Sequence, residues 1–335
     1  MLRSLAEKLV TPDASEEEAA AFQLRRNLPL DKLEAAIVGD ELVWIDCTEP
    51  DDDELRWLER VLNLHPAVVN DLRRDDRRPA LLVFPEYIFV SLFQARMNKA
   101  IVEGSEIHCL IGRTVFVTVR STGANSIDAA YERAAQNGDY WRRGVNYFLY
   151  ITLQFVVDSY YPFVDRISNQ LNRMEEQAMT DGSKSLKQSV YRVKQQLIAL
   201  RQMVSPQREV ISNVIGEERL SRNAEDRELF RHLYERQLRV YDVIDAQRDL
   251  AGNVLDLVQS QENANLSLAV NRLTVLSMIF LPLTFLIGLF GLNFVTTQPE
   301  FTIPLRGEIV FLLLVIMAIA SATLLIRYFR KKGWL

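Results

Sequence analysis

The stretch LTVLSMIFLPLTFLIGLFGL, from Leu273 to Leu292, runs for twenty residues without a charge. Its only hydroxyl side chains are Thr274, Ser277 and Thr284, and it is punctuated by Pro282, Gly288 and Gly291. A second uncharged run, Ile309 to Ile326, is eighteen residues long. At ~1.5 Å rise per residue the two reach ~27–30 Å, about the thickness of a bilayer's hydrocarbon core. Buried helices of water-soluble proteins are usually shorter and more interrupted. The chain is therefore predicted to cross a membrane twice, at 273–292 and 309–326.

Orientation follows from the basic residues. Arg327, Arg330, Lys331 and Lys332 crowd the end of the second run, in a tail spanning 327–335, whereas the connecting loop 293–308 carries Arg306 against Glu300 and Glu308. Positive residues stay inside, so the tail is predicted to be cytoplasmic. Two crossings return the chain to its starting side, which puts residues 1–272 in the cytoplasm too. The expected product is a multi-pass protein of the inner (plasma) membrane, with lipids as partners and both termini inside.

Outside these runs the composition is that of a charged globular protein. The 335 residues are 48% hydrophobic, and the net charge of −5 argues against nucleic-acid binding, which demands a basic surface. Met1 to Pro29 is rich in Glu, Arg and Ala and lacks the apolar core of a signal peptide. Cys47 and Cys109 sit in apolar, strand-like segments and read as small buried hydrophobes rather than a disulfide.

Projected at 100° per residue, Thr274, Ser277, Leu281, Thr284, Gly288 and Gly291 share one arc of roughly 100°, with the bulky apolar residues elsewhere. Small and hydroxylated residues on one stripe suit a water-filled path, and they equally suit close packing of two membrane helices. Pro282 removes one backbone donor and frees the Met278 carbonyl, which neighbouring helices or a wet cavity must then satisfy. Gly291-Leu292-Asn293 closes the span. It reads either as a helix end relaxing at the interface or as a collar of carbonyl and amide oxygens. Weak neutral acceptors of that kind can hold a hydrated hard cation and still release it. Two helices per chain cannot enclose such a path, so a pore requires several copies around an axis.

Between Pro206 and Pro282 there is no proline, and apolar residues recur at three- and four-residue steps from Leu229 through Val258. One continuous helix is predicted over 224–292, ~100 Å long at the usual rise. Extending the stripe backward reaches Leu273 and Val270, which would form apolar rings able to gate by dewetting, or would simply pack as a coiled coil. The rest divides into an α/β part at 1–123 and a helical arm at 124–223. Leu42–Cys47, Tyr87–Phe93, Ile107–Ile111 and Thr114–Val119 are predicted strands, with helices at Asp51–Leu62 and Pro66–Leu72. Breaks in the arm are expected near Gly138, at 180–183 and at Pro206. His65 before Pro66 reads as a helix cap, and His108 lies in a strand. The alternating acids and arginines of 71–78 read as a solvated face. No catalytic constellation is visible, so no enzyme is expected, and no cofactor beyond a transported ion.

Several motifs together bring a family into view: Trp44-Ile45-Asp46, His65-Pro66, the stretch from Arg78-Pro79 to Pro85-Glu86-Tyr87-Ile88-Phe89, Leu281-Pro282-Leu283-Thr284-Phe285, Gly288 to Asn293, and the closing Lys331-Lys332-Gly333-Trp334-Leu335. The chain resembles the CorA-type divalent cation transporters from about Trp44 to its last residue. The resemblance implies a funnel-shaped homopentamer with an α/β cytoplasmic domain, a long helical stalk and two C-terminal membrane helices. It implies a selectivity collar at Gly291, Leu292 and Asn293. Below the collar it implies a pore lined by Gly288, Thr284, Leu281, Ser277 and Thr274, and a hydrophobic gate at Leu273 and Val270. Glu300 and Glu308 would attract cations at the outer loop. Leu292 stands where magnesium members carry Met, and residues 286–291 are similar to the zinc-transporting ZntB branch. His232 stands where magnesium members carry a metal-sensing Asp, which would suit a softer regulatory metal. The expected function is passage of Mg²⁺, Zn²⁺, Co²⁺ or Ni²⁺. Proton-coupled zinc uptake and a transport-silent sensor or scaffold stand as alternatives.

Overall fold

The structure is a computed structural model that describes residues 1–7, 24–74, 78–99, 101–136, 138–179, 183–291 and 307–331. The described chain divides into two compact units. The first comprises Met1–Glu176 and Gln188–Leu255, and the second Gln177–Lys187 and Asp256–Leu335.

The first unit is built on one seven-stranded sheet. In chain order its strands are β1 (Leu2–Glu7), β2 (Leu24–Arg26), β3 (Val43–Thr48), β4 (Ala80–Val83), β5 (Ile88–Asn98), β6 (Ile101–Ile111) and β7 (Val115–Arg120). They lie side by side in the order β2-β1-β3-β7-β6-β5-β4. The β3–β7 pair is parallel and the other pairs are antiparallel. Alternation along the strands sorts side chains onto two faces. Val43, Ile45, Cys47, Phe89, Leu110, Val117 and Val119 pack with helices α1 (Leu30–Val38), α2 (Asp52–Leu62) and α3 (Pro66–Leu72) through Leu33, Trp57, Leu58 and Val68. On the other face Trp44 meets Phe116 at 5.0 Å, Tyr131 at 5.5 Å and Phe148 at 5.2 Å. Tyr131 belongs to α4 (Asn125–Gln136) and Phe148 to α6 (Val145–Asp158), with the short α5 (Gly138–Arg142) between them. Both faces of the central strands are therefore buried, as a near-continuous run such as Val43-Trp44-Ile45 requires.

Local chemistry sets the helix starts. Asp51 caps α2 by accepting from the backbone N–H of Asp53 and Glu54, and Glu54 returns the bond to the Asp51 N–H. His65 caps α3 as expected, its Nδ1 accepting from Ala67 N at 3.2 Å, with Pro66 in the first turn. Both cysteines are free and buried, and burial raises each thiol well above its ordinary pKa.

The remaining helices are α7 (Tyr161–Ala178), α8 (Lys184–Gly216), α9 (Ala224–Gly291) and α10 (Gly307–Lys331). The expected break at Pro206 is corrected: α8 runs straight through it. Proline deprives the Gln202 carbonyl of its helical partner. That turn, with Gln202, Met203, Ser205 and Pro206, lines an open cavity of about 1,050 Å³. Buried Met203 and Val204 hold the helix before the proline. After it, the fully buried Gln207 accepts the Phe93 N–H at 3.0 Å. The long helix α9 starts at Ala224 as expected and runs to Gly291 as a single 68-residue helix that carries Pro282; Leu292, the expected last residue, lies outside the described residues. In the second unit the start of α8 is tied to α9, with Lys187 Nζ donating to Gln259 at 2.6 Å and to Glu262 at 3.3 Å. Gln261 Nε2 donates to the Met179 carbonyl at 2.6 Å.

Candidate functional site

Both candidate membrane helices are apolar enough to span a bilayer, with mean hydropathy of 1.7 in the apolar part of α9 and 2.2 in α10. Their side chains are largely uncovered within one chain, which in water would be unfavourable and in lipid is not. The exceptions define a sheltered side on each helix. On α9 Val275 is buried, and Asn271, Thr274, Ile279, Pro282 and Leu283 are half-buried. On α10 Phe329 is buried, and Ala318, Ser321, Ala322 and Leu325 are half-buried. Small residues three and four apart are what permits close approach between membrane helices. Sequence reasoning did not single out the α10 set, although Ala318, Ser321 and Ala322 are three of the four smallest residues of the second span, the exposed Ala320 being the other.

The stripe predicted from the sequence lies elsewhere. Val270, Leu273, Ser277, Leu281, Thr284 and Gly288 are exposed, Leu273 by 64% and Leu281 by 72%. At 100° per residue the centre of this stripe is roughly opposite the sheltered side of α9. Thr274 sits at the border of the two. Ser277, Thr284, Gly288 and the apolar ring candidates Val270 and Leu273 thus share one open face of the helix with Leu281. Gly291 closes α9, while Leu292, Asn293 and Glu300 lie outside the described residues. Glu308 is exposed in the first turn of α10, where a carboxylate complements the helix dipole.

The hydrogen bonds of the stripe bear on what it can touch. Thr274 Oγ1 donates to the Val270 carbonyl at 2.8 Å and Thr284 Oγ1 to the Phe280 carbonyl at 2.9 Å. Each hydroxyl spends its one hydrogen on the backbone and turns acceptor lone pairs outward. The water shell of a cation points hydrogens outward, so acceptor-only groups complement it. Carbonyl and hydroxyl oxygens are also the ligands that hard divalent ions prefer.

His232 lies exposed on α9. Among the described residues no three His, Cys, Asp or Glu side chains gather to hold a metal ion.

The family model described as "CorA-like Mg2+ transporter protein" matches residues 39–331. This chain belongs to that family. The match runs from the head sheet to the end of α10, so the open stripe lies within the matched residues. Among similar proteins is a putative metal ion transporter of Bacillus subtilis, YfjQ, 26% identical over 93% of this chain and 95% of its own. The cobalt/magnesium transport protein CorA of Thermotoga maritima is 25% identical over 84% of this chain and 80% of its own. A zinc transport protein, ZntB, of Pectobacterium atrosepticum is 25% identical over 74% of this chain and 75% of its own. The fold is that of the complete CorA magnesium transporter structure from Methanocaldococcus jannaschii. That structure matches with a TM-score of 0.79 at 18% identity, over 100% of this chain and 99% of that one.

Proposed function

We propose that this chain is one subunit of a homopentameric channel that passes hydrated divalent cations through the inner membrane, with its head and both termini in the cytoplasm. The observation that carries the reading is the open stripe of α9. It presents acceptor oxygens and small residues on the side turned away from the chain's own sheltered face, where a symmetry axis would place water. Five copies with this face inward would line a path with Thr274, Ser277, Leu281, Thr284 and Gly288. Gly291, Leu292 and Asn293 would form the collar that holds the ion with its water shell, and Val270 and Leu273 the apolar constriction below. Exposed Glu308, with Glu300, would raise the local cation concentration at the outer mouth.

Magnesium, zinc, cobalt and nickel are all compatible with neutral oxygen acceptors, because selection acts on the hydrated ion. A coordinating Met is absent at position 292, so softness contributes little at the collar. The test is metal-by-metal flux into proteoliposomes containing the full chain. Flux of at least one of the four ions is expected, with Asn293→Ala reducing or re-ranking it by about tenfold. Protein that inserts, oligomerises and conducts none of them would overturn the reading in favour of a transport-silent sensor. A proton gradient that drives zinc uptake would replace the channel by coupled transport.

A further inference from the structure

The C-terminal half of α10 carries a feature that ion passage does not use. At 100° per residue, the sheltered Ala318, Ser321, Ala322, Leu325 and Phe329 gather on one side of the helix. Arg327, Arg330 and Lys331 fall within an arc of roughly 100° centred opposite that side, and all three are exposed. The preference for positive residues inside accounts for their sign, and the helix dipole favours cations in the final turn. Neither accounts for a shared side turned away from whatever shelters the helix.

The same side continues along the span as apolar surface. Leu313, Ile316, Ala320 and Leu324 lie in line with the basic group and are exposed, the three large ones by 53%, 55% and 70%. From Leu313 to Leu324 the helix rises ~16 Å, about half of a ~30 Å hydrocarbon core and so the depth of one leaflet. One face thus offers a leaflet's depth of hydrocarbon contact that ends in three cations. That is the outline of a single phospholipid, chain below and headgroup above.

The chain supplies no counter-charge at this level. Among the described residues none of the three basic side chains makes an ion pair. No Asp or Glu occurs between Glu262 and Glu300 or after Glu308. Glu262 lies ten residues, ~15 Å, before Arg272, where the uncharged run of α9 begins. Glu308 lies nineteen residues, ~28 Å, from Arg327. A second copy related by an axis along the membrane normal brings the same residues to the same depth, Arg272 included. It adds positive charge there and neutralises none. Lipid phosphate does the opposite. Arg327 and Arg330, neighbours one turn apart, can each fork onto phosphate oxygens with paired N–H bonds, and Lys331 adds a point charge. A zwitterionic lipid answers its phosphate with its own ammonium, so the face favours a lipid of net negative charge.

We propose that this face of α10 binds one anionic phospholipid of the cytoplasmic leaflet per chain. The phosphate sits between Arg327 and Arg330, and an acyl chain lies along Leu324, Ala320 and Ile316. The inference rests on α10 crossing the membrane with its C-terminus in the cytoplasm, and not on the chain conducting ions. The experiment titrates the full-length protein in detergent with dioleoyl-phosphatidylglycerol and with dioleoyl-phosphatidylcholine, counting bound lipid by native mass spectrometry. Phosphatidylglycerol is expected to bind about tenfold more tightly or better. Arg327→Gln and Arg330→Gln should each weaken it by about fivefold and leave phosphatidylcholine binding unchanged. Arg166→Gln, at an exposed arginine of the head, removes the same charge and should change neither. No ion gradient is present, so a chain that conducts nothing would give the same result. Equal affinity for the two lipids would overturn the proposal, as would phosphatidylglycerol binding that survives the double substitution. So would glycerophosphoglycerol binding as tightly as the whole lipid, because the apolar face would then contribute nothing. Subunit dissociation in the double variant, with lipid binding per chain unchanged, would overturn it in favour of a contact between copies.

Discussion

The head and the membrane hairpin handle the same problem in opposite ways. In the head a carboxylate is taken fully out of water and every oxygen is provided for. Asp46 is 0% exposed, and its Oδ1 accepts from the Thr118 hydroxyl at 2.7 Å. Its Oδ2 accepts from Arg3 Nε at 2.7 Å and Arg120 at 3.2 Å. Asp128 closes the network on Arg3 and Arg120 at 2.9 and 2.7 Å. In the hairpin the large apolar residues are the open ones, with Phe311 at 69% and Leu324 at 70% exposure, and charge is confined to the helix ends. Apolar burial from water drives the head together. Lipid offers no such drive, so association of the two helices rests on the close contact that small residues such as Ala318, Ser321 and Ala322 permit. The head thus buries its apolar side chains within one chain, and the hairpin leaves most of its own uncovered.

The comparison is broken most severely at Asp46. Asp46→Ala leaves Arg3 and Arg120 with only the half-exposed Asp128 as counter-charge, and removing one partner of a buried pair costs about 3–5 kcal/mol. Thermal and urea unfolding of the head signal are expected to show that loss. A cost below about 1 kcal/mol would mean that the network is not what holds β1, β3 and β7 in register.

A substitution on the open face should do the reverse, changing function and not folding. Ser277→Leu fills the middle of the stripe with a side chain that lipid tolerates. Flux in liposomes is expected to fall by about tenfold or more with the melting temperature unchanged. A folding defect without a flux defect would place Ser277 in a packed contact and move the water-facing side elsewhere.

The smallest effect concerns acid. Burial works against the Asp128 carboxylate, but hydrogen bonds and charge from Arg120 and Arg3 win and lower its pKa. Burial likewise opposes the Arg120 charge, and Asp128 and Asp46 outweigh it. A carboxyl whose folded pKa is depressed stabilises the fold above its ordinary titration range and loses that contribution as pH falls through the folded value. The head should therefore melt at lower temperature as pH drops below about 4, and Asp128→Asn should flatten the slope. Because the Asp128 side chain is 46% exposed, solvent screening keeps the change modest.

Much of this was legible from residue order. The strands at β3, β5, β6 and β7, the helices α2 and α3, the His65 cap and the start and continuity of α9 all follow from periodicity, capping residues and the absence of proline before Pro282. The elements not anticipated were β1, β2, α1 and β4. Leu2–Glu7 alternates weakly and gains its place by pairing with β3 on one side and β2 on the other. Leu30–Val38 begins after Pro29 with no side-chain cap and announces itself poorly. The β5–β6 hairpin extends through Arg96 and Glu103, polar residues that stay in register because their backbones pair and their side chains bond across the strands.

Length and charge alone establish that two segments suit a bilayer, and a period of 3.6 alone gathers the hydroxyls and glycines on one stripe. Both are local properties, readable within one helix. Which side of that helix is sheltered depends on what packs beside it, and only the tertiary structure decides that. It also decides that α8 passes Pro206, where buried Met203 and Val204 on one side and Gln207, bonded to the Phe93 N–H, on the other hold the helix in place. Those outcomes depend on partners far away along the chain, which no local pattern encodes.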